Sequence, residues 1–292
     1  MRKTSVYLTD RIKAGLAAHA ARTGRSEAEI IRDAIAAALA APTNDERRPG
    51  SDPPIAGRLV GVGVGPGAPD LLTLRAVAAL HRADRVLAPT TAVDAVGRAE
   101  AIVRQAVPGV TVERVAFAMA PSRSARNRSV DGAARAVARY LEAGQEVAWI
   151  TLGDPLTYST FSSVAERVRK LRPAATVVQI PGIMAFQALA ARTGTVIADE
   201  RTRLTIRTAL DGEELGADLD DRAATLVMYK GGRRLPEIAG QAAASGRAKG
   251  AVAGELIGMP GERVGALEDL AAGGPASYLA TVIVPATDRR TR

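Results

Sequence analysis

The chain has 292 residues, a formal net charge of +8 and no cysteine, which excludes a disulfide framework and a cysteine nucleophile. Hydrophobic residues make up 47% of it, so a sizeable core can form without metal ions. The positive charge favours an anionic partner, either nucleic acid or a ligand that carries carboxylates or phosphates, although a solvated basic surface explains the charge as well.

Membrane and metal-binding classes are both disfavoured. No apolar run reaches transmembrane length and no signal peptide opens the chain, so we expect a cytoplasmic protein without a membrane partner. The two histidines, His19 and His81, fall in separate predicted helices and have no ligand-spaced partners. We therefore expect no metal site.

The chain opens with the pattern of one strand followed by two helices. Alternating residues over 3–8 predict the strand, and Gly24 ends the helix that follows it. Ser26 and Glu29 have the spacing of a capping box, which predicts a second helix over 27–40. A unit of this size cannot bury a core alone, so it needs a partner, most simply a second copy.

This unit, residues 1–41, resembles the ribbon-helix-helix family of DNA-binding proteins. In that family two chains pair their strands into a ribbon that lies in the major groove. The resemblance implies a homodimer in which Lys3, Ser5 and Tyr7 face base edges. The alternative is a unit that dimerises and no longer binds DNA.

Residues 42–56 are rich in proline and charge and predict a linker. Beyond it, β-rich runs alternate with amphipathic helical patterns, which is typical of α/β architecture. Strands are predicted over 59–64, 85–89, 110–116, 146–151, 176–180, 204–208, 224–229, 250–253 and 279–284. Helices are predicted over 71–82, 130–143, 160–171, 184–192 and 234–244.

A glycine-rich loop follows the first of these strands. Glycines alternate from Gly61 to Gly67, so the backbone can approach a ligand closely and offer its N–H groups. The spacing is not the dinucleotide fingerprint, because Pro66 stands where a third glycine is needed, and no P-loop Gly-Lys-Ser/Thr follows. A structural tight turn and a ligand-binding loop explain the glycines equally well.

A second strand-to-loop motif contains Gly153, Asp154 and Pro155. Open α/β sheets bind ligands at the carboxyl ends of their strands, where such a loop lies. Asp154 could accept hydrogen bonds from a ligand, but an Asx-turn before Pro155 is the better explanation of this residue taken alone. Further glycine loops at 180–185, 225–234 and 258–263 suggest that several loops build one pocket.

Together these motifs resemble the tetrapyrrole methylases, S-adenosylmethionine-dependent enzymes of cobalamin and siroheme synthesis, over about residues 57–286. The segments 61–67, 153–161 and 259–263 are similar to those of the precorrin-2 C-20 branch. The resemblance implies two αβα subdomains, 57–172 and 173–287, that face each other across a cleft in a homodimer.

The resemblance places S-adenosylmethionine between these halves. The residues that match its contacts are Pro66, Gly67, Leu152, Gly153, Asp154, Thr157, Met184, Ala185, Tyr229 and Lys230. Lys230 stands where many family members carry methionine. A sulfonium methyl group is already activated, so the enzyme mainly positions its reactants, and Asp154 and Tyr158 are the weak candidates for accepting a proton.

The implied substrate is precorrin-2 or its cobalt-bearing analogue, cobalt-factor II. Such a tetrapyrrole carries many carboxylates, so Arg233, Arg234 and Arg263 are candidate anchors. Two alternatives stay open. One is another methylase of this family, in the uroporphyrinogen III or precorrin-6A branch. The other is a transcriptional regulator whose methylase-like part senses a ligand.

Overall fold

The structure of the chain, a computed structural model, describes residues 9–40, 57–117, 122–210 and 214–287. Contacts divide the chain into two compact units, Met1–Pro53 and Pro54–Arg292. The predicted strand with Lys3, Ser5 and Tyr7 lies outside the described residues, as does the predicted linker.

The first unit contains two helices, α1 (Asp10–Thr23) and α2 (Glu27–Ala40). Gly24 ends α1 with a φ of 67°, the left-handed conformation that glycine adopts without strain. The carboxylate of Glu29 accepts from the backbone N–H of Ser26 at 2.9 Å, and the Ser26 hydroxyl accepts from the backbone N–H of Glu29 at 3.2 Å. Both predicted helices and the capping box are therefore confirmed.

The first half of the larger unit is a parallel five-stranded sheet of order β3-β2-β4-β1-β5. Its strands are β1 (Arg58–Gly63), β2 (Arg85–Thr90), β3 (Val112–Ala116), β4 (Glu146–Thr151) and β5 (Thr176–Ile180). Its helices are α3 (Leu74–Arg82), α4 (Arg98–Ala106), α5 (Arg123–Glu142) and α6 (Phe161–Leu171). Alternating strand residues such as Leu59 and Val60 enter different cores, one shared with α5 and α6 and one with α3 and α4.

The predicted division at residues 172–173 is wrong for the first sheet. β5 pairs with β1 in parallel register from Thr176, opposite Arg58, to Ile180, opposite Val62. The sheet therefore continues past α6, and the first half extends at least to the end of β5.

The second half is a mixed sheet of order β6-β7-β10-β8-β9. Its strands are β6 (Arg203–Thr208), β7 (Ala224–Tyr229), β8 (Val252–Glu255), β9 (Arg263–Ala266) and β10 (Thr281–Val284). Its helices are α7 (Ala185–Thr193), α8 (Gly216–Asp220), α9 (Leu235–Ala244) and α10 (Leu267–Ala272). Because β6 and β7 are parallel and β10 is antiparallel to both β7 and β8, the carboxyl ends of β6, β7 and β8 lie at one edge.

Arg247 fixes the opposite edge of this second sheet. Its side chain is fully buried, and its two terminal nitrogens donate to six backbone carbonyl oxygens at 2.6–3.2 Å. The acceptors are Asp218, Leu219, Asp221, Ala224, Val284 and Pro285. One side chain thus holds together the end of α8, the start of β7 and the end of β10.

Candidate functional site

The loops after β1 and β4 continue the pairing of their strands. The backbone N–H of Val64 donates to the carbonyl oxygen of Thr151 at 2.9 Å, and that of Gly153 donates to Gly65 at 2.8 Å. Gly65 and Gly153 also form an isolated antiparallel bridge. The two loops therefore form one connected structure at the carboxyl edge of the first sheet.

Glycines let a third loop, after β5, join this structure. A Cβ on Gly182 would lie 2.1 Å from the carbonyl oxygen of Gly153, and a Cβ on Gly63 would lie 2.5 Å from the same oxygen. No side chain fits at either position, so Gly63 and Gly182 are required by backbone packing. In contrast, a Cβ on Gly153 would meet nothing nearer than 3.9 Å, at the Cα of Met184.

Asp154 holds the β4 and β5 loops together. One carboxylate oxygen accepts from the backbone N–H of Leu156 at 2.8 Å, which is the Asx-turn considered from the sequence. The other accepts from the backbone N–H of Gly182 at 3.2 Å. Asp154 thus has a structural role, and its contact with a cofactor stays a prediction.

The β1 loop of the first half packs directly on a loop of the second half. A Cβ on Gly67 would lie 2.0 Å from the carbonyl oxygen of Ile257, and a Cβ on Gly258 would lie 2.4 Å from the backbone nitrogen of Ala68. Pro66 and Gly67 are both buried. The glycine motif therefore joins the two halves where their carboxyl edges meet.

Tyr158 makes a second connection between the halves. Its hydroxyl donates to the carbonyl oxygen of Ile206 in β6 at 2.8 Å, and its ring centroid lies 5.9 Å from that of Tyr229 at the end of β7. The Lys230 ammonium in turn donates to the Tyr158 carbonyl oxygen at 3.5 Å. These contacts bring Tyr158 together with the adjacent residues Tyr229 and Lys230, which lie on a different segment of the sequence.

Backbone strain is concentrated on the same loops. Among the described residues, Tyr158, Lys230 and Leu256 are the non-glycine residues with positive φ, at 51°, 61° and 51°. Such conformations cost energy in residues with a Cβ, and they cluster at functional sites. They lie after β4, β7 and β8, at the junction of the halves.

The floor of this junction is aromatic and at least partly buried. The ring centroids of Phe186 and Tyr229 lie 6.5 Å apart, and the Phe186 backbone N–H donates to the Tyr229 hydroxyl oxygen at 3.4 Å. Burial raises the pKa of the Tyr229 hydroxyl, and burial lowers the pKa of the Lys230 ammonium. The site therefore favours neutral groups at this point.

The remaining predicted cofactor residues lie on the same loops. Leu152 and Thr157, in the β4 loop, are partly buried. Met184 and Ala185 begin α7, where the Met184 backbone N–H donates to the side-chain oxygen of Gln187 at 2.9 Å. All of the predicted cofactor residues thus lie on loops, a strand end or a helix start at the joined carboxyl edges.

Two of the three predicted substrate anchors have internal partners. The Arg234 guanidinium donates to the Glu237 carboxylate at 2.8 Å and to the Leu210 carbonyl oxygen at 2.7 Å. Arg263 pairs with the buried carboxylate of Glu255. Arg233 and Arg263 are exposed and Arg234 is partly buried, and the role of all three as substrate anchors stays a prediction.

Sequence reasoning missed Glu255, which is the most buried acidic group near the site. Its carboxylate accepts from Arg263 and from the backbone N–H of Ser277. A Cβ on Gly232 would lie 1.8 Å from the carbonyl oxygen of Ser277, so this oxygen packs against the bare Gly232 backbone. A buried carboxylate needs such partners, so Glu255 orders the segment before β10.

Neither a metal cluster nor a membrane span was found in the described ranges. There, no group of three or more histidine, aspartate or glutamate side chains could hold a metal ion. No helix in these ranges is both long enough and apolar enough to cross a membrane.

Comparison with known proteins identifies the larger unit. The model of the family described as Tetrapyrrole (Corrin/Porphyrin) Methylases matches residues 58–271, which is most of the chain. The chain belongs to the tetrapyrrole methylases. A second model, for ribbon-helix-helix proteins of the copG family, matches residues 2–42 of this tetrapyrrole methylase.

This methylase matches curated relatives over nearly the whole length of those relatives. A precorrin-2 C(20)-methyltransferase from Sinorhizobium sp is 34% identical over 239 residues, which covers 78% of this chain and 95% of the relative. A cobalt-precorrin-2 C(20)-methyltransferase from Salmonella typhimurium is 30% identical, and the match covers 78% of this chain and 96% of the relative. The uroporphyrin-III C-methyltransferase from Thermus thermophilus, solved in complex with S-adenosylhomocysteine, has a TM-score of 0.55 at 24% identity, covering 78% of this chain and 97% of that one.

Proposed function

We propose that this tetrapyrrole methylase transfers a methyl group from S-adenosylmethionine to C-20 of precorrin-2 in cobalamin synthesis. The observation that carries the proposal is the meeting of the two carboxyl edges. It brings the β1, β4, β5 and β7 loops together in a chain whose relatives carry this activity in their names. The relatives match both halves of the fold, so the proposal concerns the whole site.

The cofactor would bind between the halves, on the loops already described. The backbone at Gly153 and Met184 fits this role, because Gly153 carries no side chain and a Cβ there would make only ordinary van der Waals contact with Met184. The exposed ring of Tyr158 and the partly buried ring of Tyr229 offer apolar surface nearby. Pro66, Gly67, Leu152, Asp154, Thr157, Ala185 and Lys230 complete the proposed contact set.

S-adenosylmethionine supplies a methyl group on a sulfonium, which is already activated for transfer to carbon. The chain's contribution is then to hold the reacting atoms in line and exclude water. Asp154 orients the loops through two backbone N–H groups, and the Tyr158 hydroxyl donates to Ile206. Neither residue is set up as a base in this structure, so we propose that the meso proton leaves to water.

Arg233 is the proposed anchor for the substrate's carboxylates. Its exposed guanidinium can form paired hydrogen bonds with a carboxylate. Arg234 and Arg263 would act through their carboxylate partners by keeping the neighbouring loops in place. Arg233→Gln should therefore raise KM for the tetrapyrrole with little change in KM for S-adenosylmethionine.

Mass spectrometry of the product tests the proposed reaction. The full chain is incubated with S-adenosylmethionine and with enzymatically generated precorrin-2 or its cobalt-bearing analogue in parallel. A gain of one methyl group on one of the two substrates supports the proposal and identifies the metal state. Tight binding of S-adenosylmethionine with no methyl gain on either would favour another branch of the family or a ligand sensor.

We also propose that the N-terminal unit forms a homodimer that binds DNA. The ribbon-helix-helix match and the capped helices α1 and α2 favour this second function. Lys3, Ser5 and Tyr7 would contact base edges. Fluorescence anisotropy with DNA fragments tests it: binding should weaken steeply with salt, and Lys3→Ala with Tyr7→Ala should abolish preference among sequences. Equal binding by a chain lacking residues 1–50 would contradict it.

A further inference from the structure

A basic groove lies away from the candidate site, between α3 and the edge strand β5. It has a volume of about 330 Å³ and is lined by Arg58, Arg75, Ala78, Arg82, Val178 and Ile180. Helix α3 packs on β1 and β4. In the described part of the chain β5 pairs with β1 on one side only, so the groove runs along the edge of the sheet.

The groove has cationic ends and an apolar middle. Arg75, Ala78 and Arg82 follow a spacing of three and four residues, so they share one face of α3. Two helical turns separate Arg75 from Arg82, which is about 10 Å along the axis. Val178 and Ile180 share one face of β5 and supply the apolar floor.

The cations are only partly neutralised. Arg82 and Arg58 share the single carboxylate of Glu146, at 3.0 and 3.6 Å. The Nε of Arg58 is buried without a hydrogen-bond partner in the structure. Arg75, at the other end, has no partner among the residues that the structure describes. Asp84 is the other nearby acid, and its carboxylate accepts from the Glu146 backbone N–H. Each end of the groove therefore has guanidinium hydrogen bonds to offer.

We propose that this groove binds an elongated organic dianion whose two carboxylates are separated by an apolar chain. A guanidinium binds a carboxylate through paired hydrogen bonds, and the two ends are set about 10 Å apart by the helix. The apolar floor favours a hydrocarbon middle over a compact inorganic anion. The volume suits a small ligand rather than a tetrapyrrole.

Isothermal titration of the full chain with unbranched acids tests the proposal. Decanedioate should bind at least about tenfold more tightly than butanedioate, which is too short to reach both ends, or decanoate, which has one charge. Inorganic phosphate should bind more weakly than decanedioate. Arg75→Gln should weaken decanedioate binding about tenfold or more. Arg98→Gln, at an exposed arginine on α4, is the matched control and should change nothing.

Three results would overturn the proposal. Absence of decanedioate binding would mean that the groove is filled by a second copy of the chain or by solvent alone. Equal affinity for decanedioate and butanedioate would show that the two ends do not act together. Loss of binding in Arg233→Gln with no change in Arg75→Gln would place the dianion in the candidate active site instead.

Discussion

Replacement of Asp154 separates a loop-organising role from a purely ligand-binding one. Its two carboxylate oxygens each accept one backbone N–H, from Leu156 and Gly182. A hydrogen bond to a charged group contributes about 1.5–3 kcal/mol net, and Asp154 is only partly buried, so the lower value applies. Asp154→Ala should therefore lower the free energy of unfolding by about 3 kcal/mol. Asp154→Asn, which keeps one acceptor oxygen, should lower it by about half as much.

Thermal unfolding of the full chain measures this difference. For a domain of this size about 1 kcal/mol shifts Tm by about 2–4 °C, so Asp154→Ala should lower Tm by about 6–12 °C. The matched control is Asp220→Ala, because the Asp220 side chain is exposed and has no hydrogen-bond or ion-pair partner among the described residues. It should leave Tm nearly unchanged.

Affinity for S-adenosylhomocysteine completes the test. Because Asp154 joins the β4 and β5 loops, each Asp154 variant should lose affinity for S-adenosylhomocysteine in proportion to its loss of stability. Asp154→Asn should therefore be intermediate between the wild type and Asp154→Ala. An Asp154→Ala variant with wild-type Tm but no cofactor binding would refute the structural reasoning. It would show that the carboxylate acts on the ligand alone.

Three further changes probe other parts of the fold. Arg247→Met should lower the free energy of unfolding by about 3–5 kcal/mol in urea titrations, because six buried or partly buried carbonyl groups lose their donor; a loss below 1 kcal/mol would contradict its clamping role. Gly67→Ala should disrupt the junction, since its Cβ would lie 2.0 Å from the Ile257 oxygen, and cofactor affinity should fall more than in Gly97→Ala, where the Cβ meets nothing. Lys230→Met should raise Tm at pH 7, because burial disfavours the ammonium of the wild type. This gain in Tm should shrink as the pH rises towards 10.5, because Lys230 in the folded wild type then loses its proton. A gain in Tm that is constant with pH would contradict the burial argument.

Local sequence patterns predicted most strands of the larger unit. β1, β4 and β7 are apolar runs with a glycine at their carboxyl end or two residues beyond it, and the structure places them within a residue of the predicted bounds. β9 was missed because its four residues, Arg263–Ala266, are too few to show alternation. The short helices α8 and α10 were missed for the same reason, and α4 was also not predicted.

The site could be predicted only in part, because its decisive contacts are long-range. The carboxyl ends of strands indicated the right loops, and the Asx-turn at Asp154 is a local feature. The contact of Tyr158 with Ile206 depends on how two sheets face each other, and no local pattern encodes it. Likewise, the ion-pair partner of Arg263 is Glu255 on the adjacent strand. The segment around Arg263 alone could therefore not show that its charge is paired.

The position of the transferred methyl group tests the central claim most directly. The full chain would be incubated with precorrin-2, or its cobalt-bearing analogue, and S-adenosylmethionine labelled with carbon-13 in its methyl group. Nuclear magnetic resonance of the product then locates the label. The account predicts one labelled methyl group at C-20, whereas label at another ring position, or none with either substrate despite cofactor binding, would contradict it.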